Sequence, residues 1–367
     1  MVDNTVDFTP HIHEDFQLNR NQLNESGLIQ LSTFYIQEGE PHEQEIGNFF
    51  LEWLDDKSFV EVHTSGSTGT PKVIKIEKEW MVNSAKATGK FFKLPEQTTA
   101  LLCLPATYIA GKMMLVRAMV LGWHIESVPP KSNPLDQMYK RFDFCAMTPF
   151  QLDNSLARLH LISKLIVGGG AISLPLKQLV QGISTKIYET YGMTETVTHI
   201  AARRVNSKKS KKKEIPFKVL PNVTVSIDDR GCLIIKAPGV SPDPITTNDI
   251  VELVTYKKFF WRGRIDHVIN TGGIKIFPEQ VERKLESIIL HRFFITSLPD
   301  DALGEKVILF VEAPFSEESL KDLTEQIHKH KGLSKFEKPK KIYFVEKFEE
   351  THTGKIHRNH TLKARLE

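Results

Sequence analysis

The residues best placed to do chemistry lie between His63 and Lys72. The stretch His63-Thr64-Ser65-Gly66-Ser67-Thr68-Gly69-Thr70-Pro71-Lys72 holds two glycines, a run of hydroxyl side chains and a closing lysine. Glycine lets the backbone turn sharply and approach a ligand closely. Successive backbone N–H groups then form a concavity for an anion, and the hydroxyls add donors. The natural guest is a polyphosphate. The spacing argues against a Walker A loop, which needs Gly-x-x-x-x-Gly-Lys-Ser/Thr running into a helix. Here Gly66 and Gly69 are three apart and Lys72 follows a proline. A surface turn has the same local composition, so the loop must be weighed with the rest of the chain.

The elements around it are periodic. Phe59, Val60 and Val62 precede the loop and Val73, Ile74 and Ile76 follow it, which reads as strand, loop, strand. Before them, residues 43–54 carry Ile46, Phe49, Phe50, Trp53 and Leu54 at helical spacing, the pattern of a packing helix. After them, the pattern predicts helices over 77–92, 111–121, 150–159 and 174–181. Strands are predicted over 98–104, 123–128, 142–147, 164–167 and 185–189. This alternation predicts the α/β class, a largely parallel sheet with helices on its faces. Ligands of such sheets bind at the carboxyl ends of the strands. The glycine loop, Gly168-Gly169-Gly170 and residues 190–196 all follow strands, so they are expected to share one cleft.

Beyond residue 219 the pattern changes to short strands, with a hairpin around Asp228-Asp229-Arg230-Gly231. This predicts a β subdomain. Past a charged junction at Arg262–Asp266, helices over 278–289 and 317–330 and strands over 268–270, 306–312 and 342–345 predict a small α+β domain. The expected division is 1–264 for nucleotide and acyl binding and 265–367 for a mobile C-terminal domain.

Composition bounds the function. The chain has 367 residues, 40% hydrophobic and 25% charged, ordinary for a globular protein of two or more domains. A formal net charge of +3 gives no argument for nucleic acid. The run Lys208, Lys209, Lys211, Lys212, Lys213 reads as a solvated loop. Cys103, Cys145 and Cys232 show no metal or redox spacing, so a reducing cytoplasm is the simplest compartment. The acidic N-terminus predicts no signal peptide, and no apolar run approaches the ~20 residues of a membrane span.

Six ordered motifs carry a resemblance. Thr64-Ser65-Gly66-Ser67-Thr68-Gly69-Thr70-Pro71-Lys72 resembles the phosphate-binding signature of the adenylate-forming superfamily, which includes acyl- and aryl-CoA ligases, luciferases and peptide-synthetase adenylation domains. Tyr191-Gly192-Met193-Thr194-Glu195-Thr196 is similar to the segment that brings a threonine to the phosphates and a glutamate to Mg²⁺. A carboxylate is a hard oxygen ligand suited to that ion beside phosphate. Gly168-Gly169-Gly170-Ala171 resembles the adenine-side segment. Thr247-Asn248-Asp249 resembles the segment whose aspartate grips the ribose hydroxyls. The long stretch from Arg262 to Ile276 is similar to the one in which Arg264 would contact ribose, Asp266 would be the interdomain hinge and the Gly272-Gly273 loop would serve thioester formation. Thr353-Gly354-Lys355-Ile356 resembles the motif carrying the adenylation lysine. His352, His357 and His360 flank it without a recognised metal-ligand spacing.

The resemblance implies two half-reactions. A carboxylate attacks the α-phosphate of Mg-ATP, giving an acyl-adenylate and pyrophosphate. A thiol, coenzyme A, then displaces AMP. Catalysis is expected from Lys355, Thr194 and Glu195. With its Tyr-Gly-Met-Thr-Glu-Thr segment and short length, the chain resembles o-succinylbenzoate–CoA ligases, which implies an aromatic keto diacid of menaquinone biosynthesis as the acid. Its second carboxylate would need a cation, and Thr198, His199, Arg203 and Arg204 follow Glu195 closely. Other readings are a ligase for a different aryl or acyl acid and a non-catalytic nucleotide-binding remnant. The sequence departs from the pattern in two places. The part before the phosphate loop is much shorter than the family's, which predicts exposed apolar surface that dimerisation would cover. Tyr108 stands where ligases often place a histidine or another aromatic as the gate to the acyl pocket.

Overall fold

The structure, a computed structural model, describes residues 12–64, 72–210, 213–350 and 356–366. Two short strands, β1 (Gln17–Leu18) and β2 (Asn21–Gln22), lead into a helical hairpin of α1 (Glu25–Glu38) and α2 (Pro41–Leu54). The Asn24 side chain caps α1 by accepting the Gly27 N–H. Pro41 opens α2, where its missing N–H costs nothing. As the spacing predicts, Ile46, Phe49, Phe50 and Trp53 of α2 are buried.

β3 (Phe59–Thr64) and β4 (Lys72–Glu77) pair antiparallel, with Thr64 opposite Lys72. Residues 65–71 between them lie outside the described residues. The chain then alternates: α3 (Lys78–Phe92), β5 (Thr99–Leu102), α4 (Ile109–Leu121), β6 (His124–Ser127), β7 (Phe142–Met147), α5 (Pro149–Asn154), β8 (Ile162–Val167), α6 (Leu174–Leu179) and β9 (Lys186–Gly192). The expected helices over 150–159 and 174–181 are shorter as α-helix and continue as 3₁₀ turns at Leu156–Leu161 and Val180–Gly182.

Six strands run parallel in the spatial order β1, β6, β5, β7, β8, β9. β10 (His199–Arg204) then turns antiparallel to β9. The short strands expected after residue 219 continue the same ladder. β11 (Phe217–Val219), β12 (Thr224–Ile227), β13 (Cys232–Lys236), β14 (Ile245–Thr255) and β15 (Lys258–Arg264) follow β10 in the spatial order β11, β15, β14, β13, β12.

Helix α4 sits in the middle of this layer. Gly111 to Val120 are all buried, including the charged Lys112 and Arg117. Burying a charge is costly unless it is paired. Lys112 is paired, with its Nζ 2.5 Å from Glu52 on α2. Lys78, fully buried at the start of α3, reaches Asp55 at 2.8 Å. The short N-terminal hairpin is thus docked by apolar side chains and by two acids that neutralise buried lysines. Trp53→Ala removes the largest of those side chains. It is expected to lower unfolding free energy by about 3–5 kcal/mol, read as a shift of the urea midpoint at unchanged slope.

After Arg264 a 3₁₀ turn, Ile265–His267, leads to a second sheet. Its elements are β16 (Ile269–Thr271), β17 (Ile274–Ile276), α7 (Pro278–Leu285), β18 (Phe293–Asp300), β19 (Gly304–Glu312), α8 (Glu317–Lys329), β20 (Lys341–Val345) and α9 (Arg358–Leu366). Strands lie in the order β17, β16, β19, β18, with β20 parallel to β19. Val281, Leu285, Ile295, Val307, Leu309 and Val311 pack together as its own core.

Candidate active site

A cavity of about 960 Å³ opens at the carboxyl ends of β5, β7, β8 and β9. Leu104 and Pro105 follow β5, Thr148 and Pro149 follow β7, Gly168 to Gly170 follow β8, and Gly192 to Thr194 end and follow β9. Parallel strands place all these loops on one edge, which explains why the segments meet. Tyr108 and Arg117 of the α4 region, with Val197, Thr198 and His199, form another wall.

The segment after β9 makes a tight reversal. A side chain at Gly192 would bring a Cβ within 2.3 Å of the Thr198 carbonyl oxygen, so only glycine fits. The Thr198 N–H donates to the Thr196 carbonyl at 2.6 Å across Val197, whose φ is 63° and ψ −57°. This is a γ-turn of the rare positive-φ kind, here imposed on a buried β-branched residue. Strain of this sort costs on the order of 1–3 kcal/mol and persists only where surrounding packing enforces it. The Thr196 hydroxyl holds the turn, accepting the Met193 N–H and lying 2.7 Å from the Thr198 carbonyl. Thr194 and the pair Thr198 and His199 thereby face one space.

Arg117 and His199 give that wall its electrostatics. Burial pushes the Arg117 guanidinium down to about 9, still cationic near neutral pH. Burial and the nearby Arg117 hold His199 well below the usual imidazole range, so it is neutral. Arg117 contacts the Thr198 hydroxyl at 3.4 Å, and its Nε and the His199 Nε2 are buried without hydrogen-bond partners. Among the described residues no carboxylate lies within ion-pair distance of Arg117. The sequence reading passed over this residue as part of an apolar helix.

Asp249 lies beside the cavity wall. The Tyr191 hydroxyl donates to one of its oxygens at 2.6 Å and the Trp261 Nε1–H to the other at 3.0 Å. Tyr191 stands on β9 between Thr190 and Gly192, which both line the cavity. Burial and the Asp249 carboxylate hold the Tyr191 hydroxyl well above its usual range, so it remains a donor. Trp261 was not singled out from the sequence. Arg264 pairs with Asp266 at 2.6 Å, and Asn248 also reaches Asp266.

The glycine segment is anchored from behind. Buried Glu189 accepts the Ile172 N–H at 2.9 Å and pairs with Arg203 at 2.7 Å. Burial works to raise the Glu189 carboxyl, but Arg203, Lys177 and the Ile172 N–H together hold it below the usual carboxylate range.

The expected residues therefore separate. Tyr108, Gly169, Gly170, Gly192, Thr194, Thr198 and His199 line the cavity. Glu195 is exposed next to Thr194, and Ala171 is exposed next to Gly170. Tyr191, Asp249 and Arg264 form the adjoining cluster. Arg203 and Arg204 do not line the cavity, so the expectation of an arginine clamp there is corrected. Arg203 is bound by Glu189 and Glu214. Gly272 and Gly273, exposed between β16 and β17, are not at the cavity either. Arg292 and Glu350, paired at 2.5 Å, represent the C-terminal unit there. Ser65, Gly66, Ser67, Thr68, Gly69 and Lys355 lie outside the described residues, and Thr64 and Lys72 are described only as strand backbone.

Similar proteins share this architecture. A structure of an acyl-CoA synthetase (AMP-forming)/AMP-acid ligase II-like protein from Dyadobacter fermentans is 34% identical, covering 92% of this chain and 98% of that one, with a TM-score of 0.60. An o-succinylbenzoate CoA synthetase from Bacillus subtilis, in complex with an acyl-adenylate intermediate, is 19% identical with a TM-score of 0.70, covering 92% of this chain and 80% of that one. Its likeness concerns the fold. A 2-succinylbenzoate–CoA ligase of Lactococcus lactis is 26% identical over 323 residues, covering 82% of this chain and 70% of that protein. The family signature described as AMP-binding enzyme matches residues 34–241, more than half of the sequence. With a nucleotide-sized cleft at the carboxyl edge of its sheet, the chain belongs to the AMP-binding enzyme family.

Proposed function

We propose that this protein is an ATP-dependent acid–CoA ligase acting on an aromatic diacid, o-succinylbenzoate. One carboxylate oxygen attacks the α-phosphorus of ATP, the bond to the bridging oxygen breaks, and pyrophosphate leaves. The thiol of coenzyme A then attacks the acyl carbonyl, loses its proton and expels AMP. The observation that carries the reading is the shared cavity. The glycine segment and Thr194 stand on one side, and buried Arg117, which has no carboxylate partner among the described residues, stands on another.

The roles follow from the placement. The glycine segment offers backbone without side-chain bulk to the base. Asp249, held by Tyr191 and Trp261, keeps acceptor capacity for ribose hydroxyls, since a carboxylate has about four lone-pair sites. Thr194 would supply donors to the phosphates, and the motif assigns the same role to the Thr64–Lys72 loop, whose residues 65–71 lie outside the described residues. Among the described residues no cluster of three metal-ligating side chains occurs. Mg²⁺ would be held by Glu195 with the nucleotide's own phosphates and would offset their charge. Arg117 would take the second carboxylate in a site walled from water, with Thr198 and neutral His199 completing its hydrogen bonds. This replaces the arginines expected from the sequence. The three cysteines are free thiols, which supports a reducing cytoplasm as the compartment.

Asp249→Asn is expected to weaken ATP binding by about 10–100-fold, because its amide cannot accept from both Tyr191 and Trp261 and still serve ribose. Calorimetric titration with ATP checks this. The deciding experiment for the reaction is product analysis with Mg-ATP, coenzyme A and o-succinylbenzoate by chromatography with mass detection. AMP and a new CoA thioester are the expected products. AMP formed only with other acids would keep the reaction and discard the substrate. ADP, or no nucleotide turnover with a broad acid panel, would overturn the reading.

A further inference from the structure

We infer that Arg283 and Glu286 of the C-terminal unit form a two-point latch that docks it on the glycine segment of the cleft, making them positioning residues for adenylation. They are one turn apart, at the end of α7 and just after it, so they share a face. Each meets a partner across the interface. Arg283 reaches Glu214, between β10 and β11, at 3.2 Å. The Glu286 carboxylate accepts the Leu174 N–H at 2.5 Å.

Both partners connect to the cleft. Leu174 opens α6, directly after the Gly168–Ile172 segment that lines and anchors the cavity wall. The first N–H groups of a helix have no partner within it, so Glu286 satisfies a group the N-terminal part leaves open. Glu214 also binds Arg203 at 3.0 Å and Arg262 at 2.9 Å. Arg203 in turn holds Glu189, the anchor of the glycine segment. When the C-terminal unit departs, Glu214 therefore keeps two arginines, while Arg283 loses Glu214 and Glu286 loses the Leu174 N–H. A half-exposed ion pair of this kind contributes little to stability. The latch is therefore strong enough to bias an arrangement and weak enough to open.

The docked arrangement is the one that suits adenylation. It presents Arg292 and Glu350 at the cavity and keeps Gly272 and Gly273 away from it. This inference rests on the proposed ligase reaction, and its test is built so that the two can fail separately. The full-length protein is compared with E286A, E286Q and R283A by amide exchange at Leu174 and by two half-reaction assays: ATP–pyrophosphate exchange, and thioester formation from preformed acyl-adenylate. E286A is expected to speed exchange at Leu174 by about tenfold or more, and to slow pyrophosphate exchange by about tenfold, mainly in kcat. R283A should act in the same direction to a smaller extent. Thioester formation should hold or rise, and E286Q, which keeps an acceptor oxygen, should recover most of the loss. Unchanged Leu174 exchange in E286A, or equal loss in both half-reactions, would overturn the latch. If the wild-type protein forms no adenylate, the ligase reading fails and amide exchange alone decides the docking.

Discussion

Arg117→Met is expected to raise KM for an aromatic diacid by about 10²-fold, the loss seen when one member of a desolvated ion pair is truncated. It should leave kcat and the KM for an aromatic monoacid little changed. The same substitution should make the protein more stable, by about 1–3 kcal/mol, because it removes a buried charge that has no carboxylate partner among the described residues. Opposite signs for affinity and stability are the signature of a residue kept for its ligand. Steady-state kinetics on paired mono- and diacids, with a thermal melt of each variant, reads both. Equal losses on the two acids, or a drop in melting temperature, would remove Arg117 from the acyl site. Lys112 on the same helix is the internal comparison. Its charge is met by Glu52, so Lys112→Met should destabilise.

Lys355→Ala should suppress adenylation by about 10²–10³-fold while sparing thioester formation from preformed acyl-adenylate. Negative charge builds around the α-phosphorus as the carboxylate attacks, and one preorganised cation at that point contributes this much. No such charge develops there when the thiol displaces AMP. Lys355 itself lies outside the described residues, so its assignment rests on the Thr-Gly-Lys-Ile motif. Single-turnover measurement of each half-reaction checks it. Comparable losses in both would assign the residue to binding or folding.

The parts of this protein legible in its sequence are those governed by local periodicity. The strand over 142–147 and the hairpin around Asp228 to Gly231 fall where alternation and turn residues place them. So does α3, which starts one residue from its expected position. The cleft was legible as a consequence of topology, since Gly168 to Gly170 and residues 190–196 follow parallel strands. The electrostatic wiring was not. Arg203 was read as a clamp because it sits near Glu195 in the chain. Its partners, Glu189 on the neighbouring strand and Glu214 beyond a lysine-rich loop, are set by sheet pairing. Arg117 was missed for the converse reason, since ten buried positions of α4 read as packing. The available signal was a second charge inside an apolar helix that a single nearby acid could not neutralise. Trp261 carried no signal at all, because its hydrogen bond to Asp249 depends on the register of β14 against β15.

The spatial order of the large sheet has a consequence for the protein's synthesis. β1 lies beside β6, with Gln17 opposite His124, roughly a hundred residues later in the chain. At about 5–20 residues per second, β1 waits for several seconds or more before its parallel neighbour β6 exists. Until then Phe16 and Leu18, fully buried in the finished protein, lack part of the core they join. Parallel pairing at such separation is slow and exposes apolar surface while it waits. The nascent chain therefore exposes apolar surface around β1 until residue 124 emerges, and that stretch is one a holding chaperone would bind.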